Sequence, residues 1–355
     1  MKNKIIKLLF SLFSFAIIMF AMNKFFPYIR TDIFRSFAKG NWNMTSENDT
    51  LYSVGYFGIR KYLADNPENL KLLAENNEFC ENRIFGRGVC LYGKYLYVST
   101  RSFLPGSIKK DKINGQLLVL NKMDLSILKV FNYEKKLVEV KTIGNSLVAS
   151  GLGGFYIYNI SKPNTPQLIF SYNHPQYREY QGFDFIVNSG EVYVAFTLFG
   201  EGLEIWNITK PEKPNLVCNI PISKEISNEK QFFGLQSMDL EVNYPYIYAT
   251  LGPSSDTFRS LNDKRGILVY DISNIYNIRK DVVFIPKSDW YRKSTGDKQP
   301  TYITRFRDKL YLNFAEKGVA IFDISEGARP VYKGLIDVSG SGALIQSVFA
   351  TEKGN

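Results

Sequence analysis

Over most of its length this chain alternates apolar and polar residues in short runs, the two-residue period of half-buried β-strands. One run recurs: glycine, alternating apolar residues, Asp or Asn, Ile, then Ser or Thr. Copies stand at Gly154-Phe-Tyr-Ile-Tyr-Asn-Ile-Ser161, Gly202-Leu-Glu-Ile-Trp-Asn-Ile-Thr209, Gly266-Ile-Leu-Val-Tyr-Asp-Ile-Ser273 and Gly318-Val-Ala-Ile-Phe-Asp-Ile-Ser325. A degenerate copy opens at Gly115 and a weaker one at Gly58. From Gly115 onward the copies lie 39 to 64 residues apart. A phrase that returns at such intervals marks one structural unit, stacked several times.

Ahead of each phrase lies another apolar strand, often centred on Tyr, such as Leu96-Tyr97-Val98, Ile247-Tyr248-Ala249 and Leu310-Tyr311-Leu312. Each of these follows a turn position: Gly93-Lys94, Gly144-Asn145, Ser189-Gly190, Tyr244-Pro245 or Arg307-Asp308. One more strand precedes the turn, as in Leu137–Ile143, and a fourth follows a polar, often proline-bearing link such as Lys162-Pro-Asn-Thr-Pro-Gln167. The spacing predicts four short antiparallel strands per unit, the blade of an all-β propeller. Within the phrase, the glycine is read as admitting a positive φ or a bulge, and the Asp or Asn as starting the next turn.

Counting copies predicts six blades, or seven if one of the insertions at Ile222–Gln231, Pro253–Arg265 or Lys287–Pro300 hides another. The copy at Gly58 supplies an incomplete blade with no evident first strand. The C-terminal run Ala343–Ala350 has no blade of its own, so pairing the two would close the ring without leaving an open edge.

The N-terminus follows a different pattern. Lys2, Lys4 and Lys7 precede an apolar run from Leu8 to Met22, the pattern of an export signal. The reading is a hydrophobic helix over 1–26, either an uncleaved signal anchor or a cleaved signal peptide, with the bulk of the chain on the outer side of the membrane. Residues 27–50 read as a tether, without a clear period, and 51–355 as the propeller.

Composition changes this picture little. The chain has 355 residues, 45% hydrophobic and 15% aromatic, enough for a large core and too apolar for disorder. The net charge of +10 is scattered, with no basic stripe of the kind nucleic-acid binders carry. Cys80, Cys90 and Cys218 lack metal-site spacing, while Cys80 and Cys90 are close enough in sequence to form a disulfide in an exported protein. His174, the single histidine, precedes Pro175 in a loop-like stretch and reads as solvated. One histidine leaves no multi-histidine metal site.

The repeated Gly-x-x-[Ile/Val]-x-[Asp/Asn]-Ile-[Ser/Thr] phrase, with Lys-Pro-x-x-Pro after two of its copies, resembles the LVIVD-repeat family of bacterial β-propellers. The resemblance covers roughly residues 84–351, and reaches back to 51 if the copy at Gly58 is a true one. It implies an exported propeller and supplies no catalytic motif.

Aligning the first strands by their turns places Gly88, Glu139, Asp184, Asp239 and Tyr302 at one level around the central channel. Glu139, Asp184, Asp239 and Tyr302 are therefore the ligand candidates, and their carboxylates could recruit a calcium ion; otherwise they would hydrogen-bond backbone groups at strand starts. Trp290, Tyr291 and Arg292 in an insertion are candidates for surface contact with an anionic or sugar partner. Two functions follow. The first is a non-enzymatic envelope or exported platform, monomeric and free of cofactor, that binds a protein or glycan and touches the membrane through its N-terminal segment. The second is a propeller hydrolase or lyase that acts on a polysaccharide or lactone through channel carboxylates.

Overall fold

The structure is a computed structural model, and it describes residues 41–63, 71–80, 84–102, 114–222, 235–253, 264–286, 300–313 and 318–337. These form a six-bladed β-propeller of antiparallel blades. Blade one comprises β1 (Asn41–Glu47), β2 (Thr50–Gly55), β3 (Gly58–Leu63) and β4 (Lys71–Asn76). Blade two is β5 (Ile84–Tyr92), β6 (Tyr95–Ser102), β7 (Gly115–Asn121) and β8 (Ile127–Tyr133). Blade three is β9 (Leu137–Ile143), β10 (Ser146–Gly151), β11 (Gly154–Asn159) and β12 (Gln167–Asn173). Blade four is β13 (Tyr180–Asn188), β14 (Glu191–Leu198), β15 (Gly202–Asn207) and β16 (Asn215–Pro221). In blade five the innermost strand is split into β17 (Leu235–Gln236) and β18 (Leu240–Asn243), both paired with β19 (Tyr246–Pro253), and β20 (Gly266–Asp271) and β21 (Arg279–Phe284) complete it. Blade six is β22 (Tyr302–Phe306), β23 (Lys309–Asn313), β24 (Gly318–Asp323) and β25 (Val331–Asp337).

Two expectations change here. Blade one has its own first strand, β1, inside the stretch read as tether, and β1 pairs with β2 from Asn41↔Gly55 to Glu47↔Thr50. The place reserved for a returning C-terminal strand is therefore occupied. The run 343–350 lies outside the described residues, as does the N-terminal segment 1–26. Among the described residues no helix is long and apolar enough to cross a membrane.

The repeated phrase turns out to be a set of local and interblade ties. The Oδ1 atoms of Asn159, Asn207, Asp271 and Asp323 accept the N–H of Ser161, Thr209, Ser273 and Ser325 at 2.9 to 3.1 Å. Each phrase thus builds the turn that ends its own strand. The following isoleucines, Ile160, Ile208, Ile272 and Ile324, are buried, and the N–H of each is fixed to a carbonyl near the preceding hairpin turn. The second-strand tyrosines sew neighbouring blades together. The Tyr97 hydroxyl donates to the Pro163 carbonyl of blade three, and that of Tyr248 to the Gly327 carbonyl of blade six, both at 2.9 Å. The apolar faces fill the wedges between consecutive blades; Tyr158, Leu117 and Leu147 lie between blades two and three, for example. Replacing Asn159 by alanine removes one of these turn bonds and is expected to cost about 1 kcal/mol, read as a shift of the urea unfolding midpoint.

The turn chemistry also sets the geometry of the site. All innermost strands (β1, β5, β9, β13, β17/β18 and β22) run in the same sense through the ring, and each from β1 to β18 touches the next in chain order. The strand starts define one mouth of the channel, and the two-residue hairpin turns lie at the opposite end.

Candidate functional site

Each of the three aligned carboxylates holds the next blade. Glu139 Oε2 on β9 accepts the N–H of Phe183 on β13 at 3.0 Å. Asp184 Oδ2 on β13 accepts the N–H of Val242 on β18 at 3.0 Å. Asp239 Oδ2, at the start of β18, accepts the N–H of Ile303 on β22 at 3.1 Å. Three successive junctions are braced by a side chain inserted where the neighbouring innermost strand has a main-chain donor to satisfy. Gly88 completes the level in blade two by having no side chain: a Cβ there would lie 2.9 Å from Glu139 Cα.

The cation among these carboxylates is the chain's own. Lys141 Nζ lies 3.4 Å from Glu139 Oε1 and 3.8 Å from Asp184 Oδ1. Burial alone would lower the Lys141 pKa, but the surrounding Glu139, Asp184, Asp239 and Glu241 charges outweigh it and hold the ammonium above its usual range. Burial raises Glu139, against the pull of Lys141. Burial and the nearby Glu139 charge push Asp239 well above a normal carboxyl, so Asp239 holds a proton to higher pH than a solvated aspartate. Burial and Asp184 push Glu241 up to about 8. Among the described residues no group of three or more His, Cys, Asp and Glu side chains is placed to hold a metal ion.

Tyr302 stands near the same carboxylates, and the charges of Asp239 and Glu139 act on its hydroxyl. It is buried on β22, and the Arg87 guanidinium of blade two lies 5.2 Å from its ring centroid. Burial raises the Tyr302 hydroxyl, with Arg87 opposing. Nearer the mouth, Arg101 at the end of β6 reaches Glu179 of blade four, Nη1 to Oε1 3.3 Å. Lys136 joins them at the start of β9. Its pKa is lowered by burial and by Arg101, while that of Arg101 is lowered by burial and by Arg87. These cations therefore repel one another, with Glu179 opposing both shifts. Further out, Tyr177 is exposed with Lys135 Nζ 4.6 Å from its ring centroid, and Arg178 pairs with Glu201 at 2.6 Å.

A second polar knot, between blades three and four, was not anticipated from sequence. Glu204 is 2% exposed. Its carboxylate accepts from Tyr180 Oη at 2.5 Å, Trp206 Nε1 at 2.9 Å and Asn219 Nδ2 at 3.1 Å. His174 is not solvated: its side chain is 14% exposed, with Nε2 4.0 Å from Glu204 Oε1. Its Nδ1 accepts the N–H of Gln176 at 3.1 Å, and its ring lies against Tyr172 and Tyr180. This carboxylate is enclosed and fully partnered, the arrangement of a structural anchor.

No disulfide joins Cys80 to Cys90. The alternation of β5 turns Cys90 into the wedge between blades two and three, while Cys80 packs into the wedge between blades one and two. Burial raises the Cys90 thiol, further from the thiolate that oxidation needs. Trp290, Tyr291 and Arg292 lie outside the described residues.

No family model matches the chain, and no curated protein matches it. Among solved structures it is similar to a periplasmic gluconolactonase of Pseudomonas aeruginosa, with a TM-score of 0.59 and 12% identity over 84% of this chain and 85% of that one. It is also similar to the computationally designed Ika8 protein, with a TM-score of 0.50 and 10% identity over 88% of this chain and 91% of that one. Likeness at this level of identity establishes the propeller fold.

Proposed function

We propose that this protein is a non-enzymatic binding platform of the LVIVD-repeat kind. In this reading it is exported to or anchored at the cell envelope by its N-terminal segment, and it binds a protein or glycan with the strand-start end of the propeller. The observation that carries the reading is the use already made of the channel carboxylates. A hydrolase or lyase needs a carboxyl free to move a proton at a substrate. Glu139, Asp184 and Asp239 each commit one oxygen to a main-chain N–H of the next blade, and Lys141 lies against the first two, which leaves, of their oxygens, Asp239 Oδ1 without a partner among the described residues. The strand-start rim offers what the channel does not: exposed Tyr177 and Phe199 beside Lys135, Lys136, Arg101 and Arg178. Aromatic and arginine side chains are the residues that binding surfaces favour. Likeness to a lactone-hydrolysing propeller does not weigh against this, because one fold hosts many functions.

The test is capture from a solubilised envelope extract by the full chain, run beside turnover assays on lactones and polysaccharides. The expected result is one retained protein or glycan and no turnover. Turnover that disappears in Glu139→Gln or Asp239→Asn would overturn the proposal in favour of the enzyme.

A further inference from the structure

The channel mouth holds more unmet hydrogen-bonding capacity than a sealed core tolerates. Gln181 Oε1, Ser237 Oγ, Asp239 Oδ1 and Thr301 Oγ1 are buried and lack hydrogen-bond partners among the described residues. Their residues are 2%, 1%, 4% and 8% exposed. Leaving one such atom unsatisfied costs about 1–3 kcal/mol, and natural structures carry few. Here they stand on three neighbouring blades. Gln181 is the second residue of β13, Ser237 and Asp239 stand between β17 and β18, and Thr301 directly precedes β22. All four lie in or just before the first half of the innermost strands of blades four, five and six.

The cations stand on the other side of the same mouth. Arg101 and Lys136 come from blades two and three, which face blades five and six across a six-membered ring. The pKa values of both are lowered by burial and by neighbouring cations, so a negative charge at this position relieves a repulsion already built in. Glu179 supplies one negative charge to this layer, through Arg101.

We propose that the channel mouth is a site for a small hydroxylated anion, of the hydroxy-carboxylate class, held by Arg101 and Lys136 through its charge and by Gln181, Ser237 and Thr301 through its hydroxyls. The division of labour follows from donor chemistry. Guanidinium and ammonium groups take a carboxylate. An amide carbonyl accepts from a ligand hydroxyl, and the Ser and Thr hydroxyls donate or accept. A simple anion leaves the oxygens of blades four to six unmet, and a neutral polyol leaves the cations unrelieved. This inference rests on the reading of the strand-start end as the binding face.

The test is isothermal titration of the full chain with sodium D-glucuronate, with acetate and sorbitol as the charged and the hydroxylated halves of the chemistry. Glucuronate is expected to bind, and acetate and sorbitol at least about tenfold more weakly, since each forfeits one class of contact. Thr301→Val and Ser237→Ala are expected to weaken glucuronate about three- to tenfold each. Both keep the fold, because the hydroxyls they remove have no partner among the described residues; unchanged unfolding midpoints check this. No heat with glucuronate, equal affinity for acetate, or unchanged binding in both variants would overturn the proposal. Should glucuronate stay silent while envelope capture persists and is lost in Arg178→Glu, the small-anion site falls and the platform stands. Glucuronate binding without any captured macromolecule sinks the platform alone.

Discussion

Lys141→Ala is expected to destabilise the propeller by about 3–5 kcal/mol. The variant removes the ammonium that lies among Glu139, Asp184, Asp239 and Glu241 and leaves the carboxylates where they are. Removing one partner of a buried pair is costly because the other charge stays behind without water. The loss should depend on pH in a definite direction. Glu139, Asp239 and Glu241 already have folded-state pKa values above their unfolded ones, with Glu241 at about 8. The folded state therefore binds more protons than the unfolded state between the ordinary carboxyl range and about pH 8, and stability falls as pH rises through that window. Without Lys141 the carboxyls rise further. Urea unfolding should show the variant's deficit largest near pH 8 and shrinking toward pH 5, where protonation removes the charge Lys141 had balanced. A deficit that is small, or that grows on acidification, is incompatible with this role.

Gly202→Ala is expected to cost about 3 kcal/mol or more, and Gly190→Ala only about 1 kcal/mol, although both glycines have positive φ. At Gly202 φ is 143°, and a Cβ would fall 2.1 Å from the Ile220 carbonyl oxygen of β16. The fourth strand would have to leave its register from Gly202↔Pro221 to make room. At Gly190 φ is 82°, and nothing lies within 4 Å of the Cβ position, so only backbone strain remains. Thermal unfolding of the two variants separates the contributions. Equal losses would mean that the repeated glycine serves backbone conformation alone, and not the approach of the fourth strand.

That glycine also shows what was legible in advance. The phrase could be read correctly because its bonds are local: Asn159 acts on Ser161 and Asp271 on Ser273, two residues away. Turn-based alignment of innermost strands singled out Glu139, Asp184 and Asp239, but not the main-chain groups 44 to 64 residues away that they bond. Strand β1 escaped because Asn41-Trp-Asn-Met-Thr-Ser-Glu47 lacks an apolar period, and its strand character comes from pairing with β2. The Glu204 knot escaped because Tyr180, Trp206 and Asn219 come from three different strands of blade four and His174 from the end of blade three, so their meeting depends on strand pairing and blade packing. Lys141 could have been noticed, since it stands two residues beyond Glu139 on the same strand and hence on the same face. The Cys80–Cys90 pairing failed on that alternation as well, which directs Cys90 to the wedge Cys80 does not enter.

The account divides the channel into two parts. Its interior is braced by carboxylates around Lys141, and its strand-start mouth is charged, aromatic and short of hydrogen-bond partners. Function is assigned to the mouth and its rim. Capture from envelope extract by two charge reversals of the full chain tests that assignment most directly. Arg178→Glu alters the strand-start rim, and Lys210→Glu alters an exposed turn at the opposite end. The account predicts that Arg178→Glu loses the captured partner and Lys210→Glu retains it. Retention by Arg178→Glu together with loss in Lys210→Glu would contradict it.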